Sequence, residues 1–227
     1  MNISKVHSLP ELKNRTYVFQ NRKDAGEKLA GMLSDFRGSD AMVLGIPAGG
    51  VPVAVHIATK LELPFDVIPV SKILFPWTTE SGFGAVAFDG TEWINTDLVA
   101  SGQLNTESIQ AAIKLAREKV QRRAQCFRGD DPFPELKNRT VILVDDGIAA
   151  GSTMRVAILA LQKQQAKQII IAIPTGHAEA LNRLADLVDG IYCANLRGGF
   201  SFAVADAYEH WTDVSEKEVM ETIQGLH

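Results

Sequence analysis

Two adjacent carboxylates followed by a short glycine-bearing loop form the most informative stretch of the sequence, residues 141–153. Four apolar residues run directly into Asp145 and Asp146, and the segment Gly-Ile-Ala-Ala-Gly then leads to Ser152 and Thr153. Paired carboxylate oxygens accept hydrogen bonds from a vicinal diol or help to hold a hydrated divalent cation. Glycines allow a tight turn, and hydroxyls at a helix N-terminus favour a phosphate group. The stretch therefore predicts a diol site beside a monophosphate site, which together describe a ribose 5-phosphate.

Each half of this stretch also has an ordinary structural explanation. Asp-Asp can be a solvated strand end, and Ser-Thr can be a plain helix cap. The direct joining of the two halves favours the binding interpretation. A P-loop ATPase would need a G-x-x-x-x-G-K-[ST] segment, and the sequence contains none. A phosphoester hydrolase using Asp145 and Asp146 is the weaker alternative, because no further acidic cluster completes a two-metal site.

A second glycine turn and a lysine occupy comparable positions in the predicted fold. The segment Gly-Ile-Pro-Ala-Gly-Gly-Val-Pro at 45–52 joins a predicted strand to a predicted helix, and Lys72 follows a predicted strand over 66–71. Adjacent glycines permit close backbone approach to a ligand. A lone lysine is more often solvated surface, and a glycine turn can serve packing alone. Both interpretations stay open for these two features.

The elements that must position these residues alternate between apolar runs of strand length and longer segments of helical period. This alternation predicts an open, mostly parallel, Rossmann-like α/β sheet flanked by helices. In such sheets ligands bind beyond the carboxyl ends of the strands, where the two acids lie. Residues 72–84 predict a long loop, and Asp89-Gly90 predicts a hairpin turn. The predicted strands cover 41–46, 66–71, 140–146, 168–174 and 190–195, and the predicted helices cover 23–36, 51–61, 105–126, 152–164 and 215–224.

The stretch 141–153 resembles the signature for phosphoribosyl pyrophosphate (PRPP) in the type I phosphoribosyltransferases. In that signature an apolar strand, two acidic residues and a short loop precede Gly-Ser/Lys-Thr. Together with GIPAGGVPVA and GFGAVAFDG, it is most similar to stand-alone bacterial and archaeal members whose acceptor is unknown; the resemblance spans roughly residues 15–220. It implies the type I fold, with a core over about 15–195, a small C-terminal hood over about 195–211 and a final helix. The segment 73–88 corresponds to the family's mobile lid.

The resemblance also implies roles for individual residues. Asp145 and Asp146 would contact the ribose hydroxyls of PRPP, and would touch Mg²⁺ only indirectly, through those hydroxyls or water. With Lys72, they form the expected catalytic set. The 5-phosphate would be held by Gly147, Ala149, Ala150, Gly151, Ser152 and Thr153. The pyrophosphate would be held by Ala48, Gly49, Gly50 and Lys72. The acceptor base would meet Phe200, Phe202 and Tyr208, with Trp211 nearby.

Two positions depart from the family pattern. Relatives often carry a basic residue at the position of Ala48, so more of the charge neutralisation would fall to Mg²⁺ and Lys72. Purine-salvage members usually carry an acidic residue at the position of Ala149, so the alanine argues against a standard hypoxanthine/guanine enzyme. The implied activity is Mg²⁺-dependent transfer of ribose 5-phosphate from PRPP to a nucleobase-like acceptor. The alternative is a PRPP- or nucleotide-binding regulator without turnover.

Composition narrows the range of partners. The 227 residues are 46% apolar and 22% charged, which is typical of a folded enzyme, and we expect one domain over 1–227. The net charge of −4 gives no reason to expect nucleic acid or an anionic membrane as a partner. The first residues contain no apolar signal core, and the two cysteines lack metal-ligand spacing, so we expect a cytoplasmic protein with reduced thiols. Dimers are common in the family, and a homodimer is therefore one expectation.

Overall fold

The computed structural model describes residues 5–199 and 201–225, and a parallel β-sheet lies at its centre. The strands, in chain order, are β1 (Val6–His7), β2 (Met42–Gly45), β3 (Phe65–Val67), β4 (Val70–Leu74), β5 (Gly82–Ala87), β6 (Glu92–Ile94), β7 (Thr140–Val144), β8 (Gln168–His177) and β9 (Gly190–Arg197). Six of them form the central sheet in the order β1-β9-β8-β7-β2-β3, and all of its neighbouring pairs are parallel. The predicted mostly parallel sheet is confirmed.

The helices of the described residues are α1 (Arg22–Met32), α2 (Gly50–Leu61), α3 (Thr96–Ser101), α4 (Thr106–Arg128), α5 (Ser152–Lys163), α6 (Ala178–Ala185) and α7 (Glu216–Gln224). α1 and α2 cover one face of the central sheet, and α5 and α6 cover the other. Residues of β7 alternate between the two faces: Val141 and Leu143 pack in the cluster that contains α5 and α6, whereas Ile142 and Val144 pack with α1 and α2. A parallel strand covered on both faces must be apolar at every position, which explains the uninterrupted run Val141–Val144.

The predicted strand over 66–71 is wrong, because the chain forms two strands there. β3 ends at Val67 and belongs to the central sheet, whereas β4 begins at Val70 and pairs antiparallel with β5. Between them lies Pro69, which has no N–H group to continue the ladder of β3. The strand therefore leaves the sheet at the proline, and Lys72 is carried by the antiparallel ribbon that follows.

The predicted loop over 72–84 is also wrong for most of its length. The segment 73–88, expected to be the lid, consists largely of strands, and its role as a lid stays a prediction. β4, β5 and β6 form a three-stranded antiparallel sheet, and residues 75–81 form the connection between β4 and β5. The predicted turn at Asp89-Gly90 is confirmed between β5 and β6, where Gly90 has a φ of +80°. β5 is buried because α4 covers one side of the ribbon, with Phe83 and Val86 packing against Ile113 and Val120. Glycine, threonine and proline near the connection concealed the start of β5 and its pairing with β4.

The segment that follows β9 lies against the carboxyl edge of the sheet, where the Tyr208 hydroxyl donates to the carbonyl of Asp146. β9 continues to Arg197, two residues beyond the predicted end of the strand, and the segment from 201 to 214 is irregular apart from a 3₁₀ turn at Ala205–Ala207. α7 then begins after Ser215, whose hydroxyl accepts from the backbone N–H of Glu218 in a capping box. Among the described residues, no helix is both long and apolar enough to cross a membrane.

Candidate functional site

The loops after β2 and β7 meet because these two strands are neighbours in register. Gly45 pairs with Val144, and the backbone N–H of Ile46 donates to the carbonyl of Val144 over 2.8 Å. The chain therefore leaves both strands at the same edge of the sheet. This edge is formed by the carboxyl ends of the parallel strands, where open α/β sheets bind their ligands. The turn 46–50 and the loop 145–151 lie side by side there.

Gly49 and Gly50 pack directly against the two acids. A Cβ on Gly49 would overlap the carboxylate of Asp146, and a Cβ on Gly50 would lie 2.7 Å from the carbonyl oxygen of Val144 and 2.8 Å from the Cα of Asp145. The peptide bond between Pro47 and Ala48 is cis. Only glycine permits this approach. The two glycine-bearing turns follow separate strands in the sequence, and the structure brings them into contact.

Asp146 is fixed by a buried arginine that sequence patterns did not single out. The Nε and Nη2 atoms of Arg22, at the start of α1, both donate to Oδ2 of Asp146, over 3.0 and 2.9 Å. The two side chains are only 10% and 14% exposed. The centre of the Trp211 ring lies 4.0 Å from the guanidinium carbon of Arg22, and the hydroxyl of Tyr208 donates to the carbonyl of Asp146 over 2.7 Å. One carboxylate oxygen of the second acid is therefore committed to Arg22.

Asp145 has no comparable cation. Its Oδ1 accepts from the backbone N–H of Asp146 over 2.9 Å. Burial, and then the neighbouring charge of Asp146, raise the pKa of Asp145 well above its ordinary value. Burial also raises the pKa of Asp146, but the Arg22 guanidinium opposes this increase. The two adjacent acids are thus unequal: Asp146 is held in place, whereas Asp145 has weakly satisfied oxygens that a hydroxyl group would stabilise.

The loop from Gly147 to Gly151 is held by β8 and opens α5. The N–H of Ile148 donates to the carbonyl of Thr175 over 3.0 Å, and the N–H of His177 donates to the carbonyl of Ile148 over 2.9 Å. Gly151 precedes α5 with a φ of +87° and provides no capping side chain. The first N–H groups of a helix have no partner within it, so those at Ser152 and Thr153 face outward with the positive end of the helix dipole. This arrangement suits a phosphate.

A cationic cavity of about 210 Å³ lies between the two loops and the antiparallel ribbon. Pro47 of the first loop and Thr153 of α5 line it, together with three cations, Lys72, Lys119 and Arg123. Lys72 is exposed and donates to the carbonyl of Glu80 over 3.3 Å. Lys119 and Arg123 belong to α4, and sequence reasoning missed both of them. On an amphipathic helix they are indistinguishable from a solvated charged face.

The structure places the predicted base-contacting residues in different environments. Tyr208 is only 1% exposed and packs against Phe19 and Trp211, so the structure leaves no ring face for a base and does not fit this prediction. Its ring fills the core cluster of α1 and α2, which a sequence pattern of scattered aromatics does not reveal. Phe200 lies outside the described residues.

Phe202 remains the aromatic side chain of the hood that lies near the carboxyl edge of the sheet. It is half-buried, and its ring meets the His177 ring edge-on with 5.6 Å between centroids. The guanidinium carbon of Arg197 lies 4.9 Å from the centre of the Phe202 ring. Because His177 hydrogen-bonds to Ile148, this cluster is next to the loop that opens α5. A flat ring in this place has a partner for stacking.

The donor set fits a magnesium ion that is shared with a ligand. Carboxylate oxygens are hard donors that Mg²⁺ accepts, and the ion is usually bound by one or two carboxylates plus substrate phosphates. Within residues 5–199 and 201–225, no group of three or more His, Cys, Asp or Glu side chains is arranged to hold a metal by itself. Asp145, which has no hydrogen bond to a cation in the described residues, is the side chain best placed to approach such an ion.

Comparisons with known proteins agree with this geometry. The family model of the phosphoribosyl transferase domain matches residues 95–204, which include Asp145, Asp146 and the loop that opens α5. A protein of Mycobacterium tuberculosis, provisionally named a phosphoribosyl transferase in strains H37Rv and CDC 1551, is 36% identical over 211 residues, or 92% of this chain. The chain spans 47% of the length of those relatives.

One solved structure is similar over nearly the whole chain. The crystal structure of TT1426 from Thermus thermophilus superimposes with a TM-score of 0.71 at 28% sequence identity. The alignment covers 91% of this chain and 98% of TT1426. The similarity therefore extends well beyond the segment matched by the family model.

Proposed function

The chain belongs to the phosphoribosyl transferase family, whose members are glycosyltransferase-type enzymes, and on this premise we propose that it transfers ribose 5-phosphate from PRPP to a nitrogenous base. The observation that carries the proposal is the contact between the two loops. Asp145 and Asp146 lie against Gly49 and Gly50, immediately before a helix N-terminus that suits a phosphate. A diol site, a site for an adjacent anion and a monophosphate site thus lie along one edge of the sheet.

In this proposal each part of PRPP has its own protein partner. The ribose hydroxyls donate to Asp145, while Asp146 is oriented by Arg22 and keeps the loop in place. The 5-phosphate accepts hydrogen bonds from the backbone at the start of α5 and from the hydroxyls of Ser152 and Thr153. The diphosphate lies towards Gly49, Gly50 and Lys72. Mg²⁺, when bound, would supply positive charge that stabilises the diphosphate group of PRPP.

The reaction breaks the bond between C1 of the ribose and the diphosphate oxygen, and that oxygen keeps the electron pair. A ring nitrogen of the acceptor forms the new bond to C1, and its proton passes to solvent. Fixed cations near the leaving oxygen stabilise the developing charge without reorganising during the reaction. No covalent bond to the protein is required, so positioning of the two reactants supplies much of the rate.

The acceptor in this proposal is a planar nitrogenous base that stacks near Phe202. Ala149 is exposed and provides no carboxylate for a base proton. This disfavours a mechanism in which an acidic side chain at this position handles the proton of hypoxanthine or guanine. We therefore propose a base whose nitrogen is nucleophilic without help from residue 149.

The experiment that tests the proposal is a screen for pyrophosphate release. The protein is incubated with PRPP, Mg²⁺ and single nucleobases, and phosphoribosylated product is identified by mass spectrometry. Base-dependent release that disappears in Asp145→Asn establishes the transferase. PRPP binding without release for any base would instead establish the regulatory alternative. Release that persists in Asp145→Asn would contradict the assignment of the site.

A further inference from the structure

The cavity between the two loops contains more positive charge than its protein partners neutralise. Lys72, Lys119 and Arg123 line it, and no carboxylate is among its lining residues. Among the residues that the structure describes, Lys72 has only the carbonyl of Glu80 as an acceptor. Lys119 has no hydrogen bond and no ion pair with any residue that the structure describes. Like charges held close together without a counterion cost free energy, so this cluster is arranged for an anion that binds from outside.

Arg123 fixes the wall of the cavity. Its Nε donates to Glu216 at the start of α7 over 3.0 Å, and its Nη1 donates to the carbonyl of Val70 over 3.1 Å and to that of Pro47 over 3.4 Å. The arginine thus joins three segments: the glycine turn after β2, the start of the antiparallel ribbon and the C-terminal helix. α4 is thereby held against the loop whose glycines touch the two acids, and Lys119 lies one helical turn before Arg123.

Lys119 is the cation of α4 that remains available. Lys119 is exposed at the edge of the cavity, but partial desolvation, and then the positive charges of Arg123 and other nearby cations, lower the pKa of Lys119, and Glu216 only partly offsets this. A bound anion in the cavity would remove this penalty. Because the same cavity reaches Thr153 at the start of α5, an anion there lies between the phosphate-binding helix and the glycine turn.

We propose that Lys119 binds the diphosphate group of PRPP and supplies, from α4, the positive charge that the turn at Ala48 lacks. This inference rests on the proposed function and assigns a further residue to the same site. As the C1–O bond breaks, the electron pair moves onto the diphosphate oxygen, and the Lys119 ammonium lies where that charge develops. It acts together with Lys72, which lines the same cavity.

The test measures binding of the diphosphate and of the ribose 5-phosphate separately. Inorganic pyrophosphate with Mg²⁺ and ribose 5-phosphate are titrated separately into wild type, Lys119→Gln, Lys119→Arg and Lys114→Gln. Lys114 lies on the same helix, its side chain is 79% exposed, and it is not part of the cavity lining, so it is the matched control. We expect Lys119→Gln to weaken pyrophosphate binding by a factor of about 10 or more, the value of one hydrogen bond to a charged group.

Ribose 5-phosphate affinity should be unchanged in Lys119→Gln, and this internal control shows that the variant is folded. Lys119→Arg should recover most of the pyrophosphate affinity, and Lys114→Gln should match wild type. Unchanged pyrophosphate binding in Lys119→Gln, or an equal loss for both ligands, would overturn the inference while leaving the proposed function intact. Failure of wild type to bind either ligand or PRPP would overturn both proposals.

Discussion

Replacing Arg22 with methionine tests how the second acid is held. The change keeps an unbranched, apolar side chain against Trp211 but removes every donor to Asp146 that Arg22 supplies. Asp146 would then be a buried carboxylate with no cation, and its pKa would rise further because Arg22 is what opposes the effect of burial. The lost donor to the carbonyl of Thr212, 2.8 Å away, leaves a second acceptor unpaired.

The expected magnitude follows from the burial of the pair. Removing one partner of a buried ion pair costs about 3–5 kcal/mol, whereas an exposed pair contributes about 0–1 kcal/mol. The side chains of Arg22 and Asp146 are only 10% and 14% exposed, so they form a buried ion pair. Because some solvent still reaches them, we expect a cost at the lower end of the range for buried pairs. We therefore expect Arg22→Met to lower the free energy of unfolding by about 3 kcal/mol.

Urea unfolding of Arg22→Met, Asp146→Asn and the double variant measures the coupling between the two residues. The double variant should be more stable than the sum of the single effects predicts, by about 2 kcal/mol. Arg37→Met is the matched control, because the Arg37–Glu62 pair is 54% and 72% exposed and its loss should cost less than about 1 kcal/mol. Additivity within about 0.5 kcal/mol, or an Arg22→Met effect as small as the control, would refute the reasoning.

Two further predictions concern the same edge of the sheet. Burial raises the pKa of Asp145, so the native state retains a proton that the unfolded chain releases, and stability falls as pH rises above the ordinary aspartate pKa of about 3.9. Asp145→Asn should therefore make the ligand-free protein more stable than wild type in thermal unfolding at pH 7. The same change should abolish PRPP binding. Equal or lower stability of the variant would contradict this prediction. Gly50→Ala should cost about 1–3 kcal/mol in urea unfolding, because its Cβ would lie 2.7 Å from the Val144 carbonyl oxygen. Gly31→Ala, with nothing within 4 Å, should be neutral or stabilising, and similar costs for the two glycine variants would show that close approach is not the cause.

The parts of the fold that follow from local pattern were predictable. β7 and β8 are apolar along most of their length because both faces of a parallel sheet are covered, and this is visible in the sequence. The N-cap of α4 at Asn105 was predicted from residue type alone, and its side chain accepts from the N–H of Ser108. Asp145 and Asp146 were identifiable for the same reason, since they directly follow such a strand.

The hairpin turn between β5 and β6 was predictable, but β4 and its pairing with β5 were missed because two local signals conflict there. Pro69 ends β3 in the middle of an apolar run, and the glycines of β5 are typical of loops. In the structure those glycines serve strand pairing: a Cβ on Gly82 would lie 2.6 Å from the carbonyl oxygen of Ile73. The pattern therefore marks close approach of two strands, which short-range propensity does not distinguish from a turn.

The cations of the site were missed because they depend on contacts between distant parts of the chain. Arg22 and Asp146 are 124 positions apart, and nothing near Arg22 in the sequence marks it as buried. Lys119 lies on a long charged helix whose other face packs on the ribbon. The prediction for Tyr208 was wrong in the opposite sense. This aromatic residue of an irregular segment was predicted to contact a ligand, but its side chain is buried in the core.

The measurement that tests the central claim most directly is calorimetric titration of PRPP with Mg²⁺ into the full chain. Wild type is compared with a variant carrying both Asp145→Asn and Asp146→Asn, and circular dichroism establishes that both are folded. We expect wild type to bind PRPP in the micromolar range and the double variant to lose this binding. Absence of PRPP binding by folded wild type, or equal binding by the variant, would contradict the account.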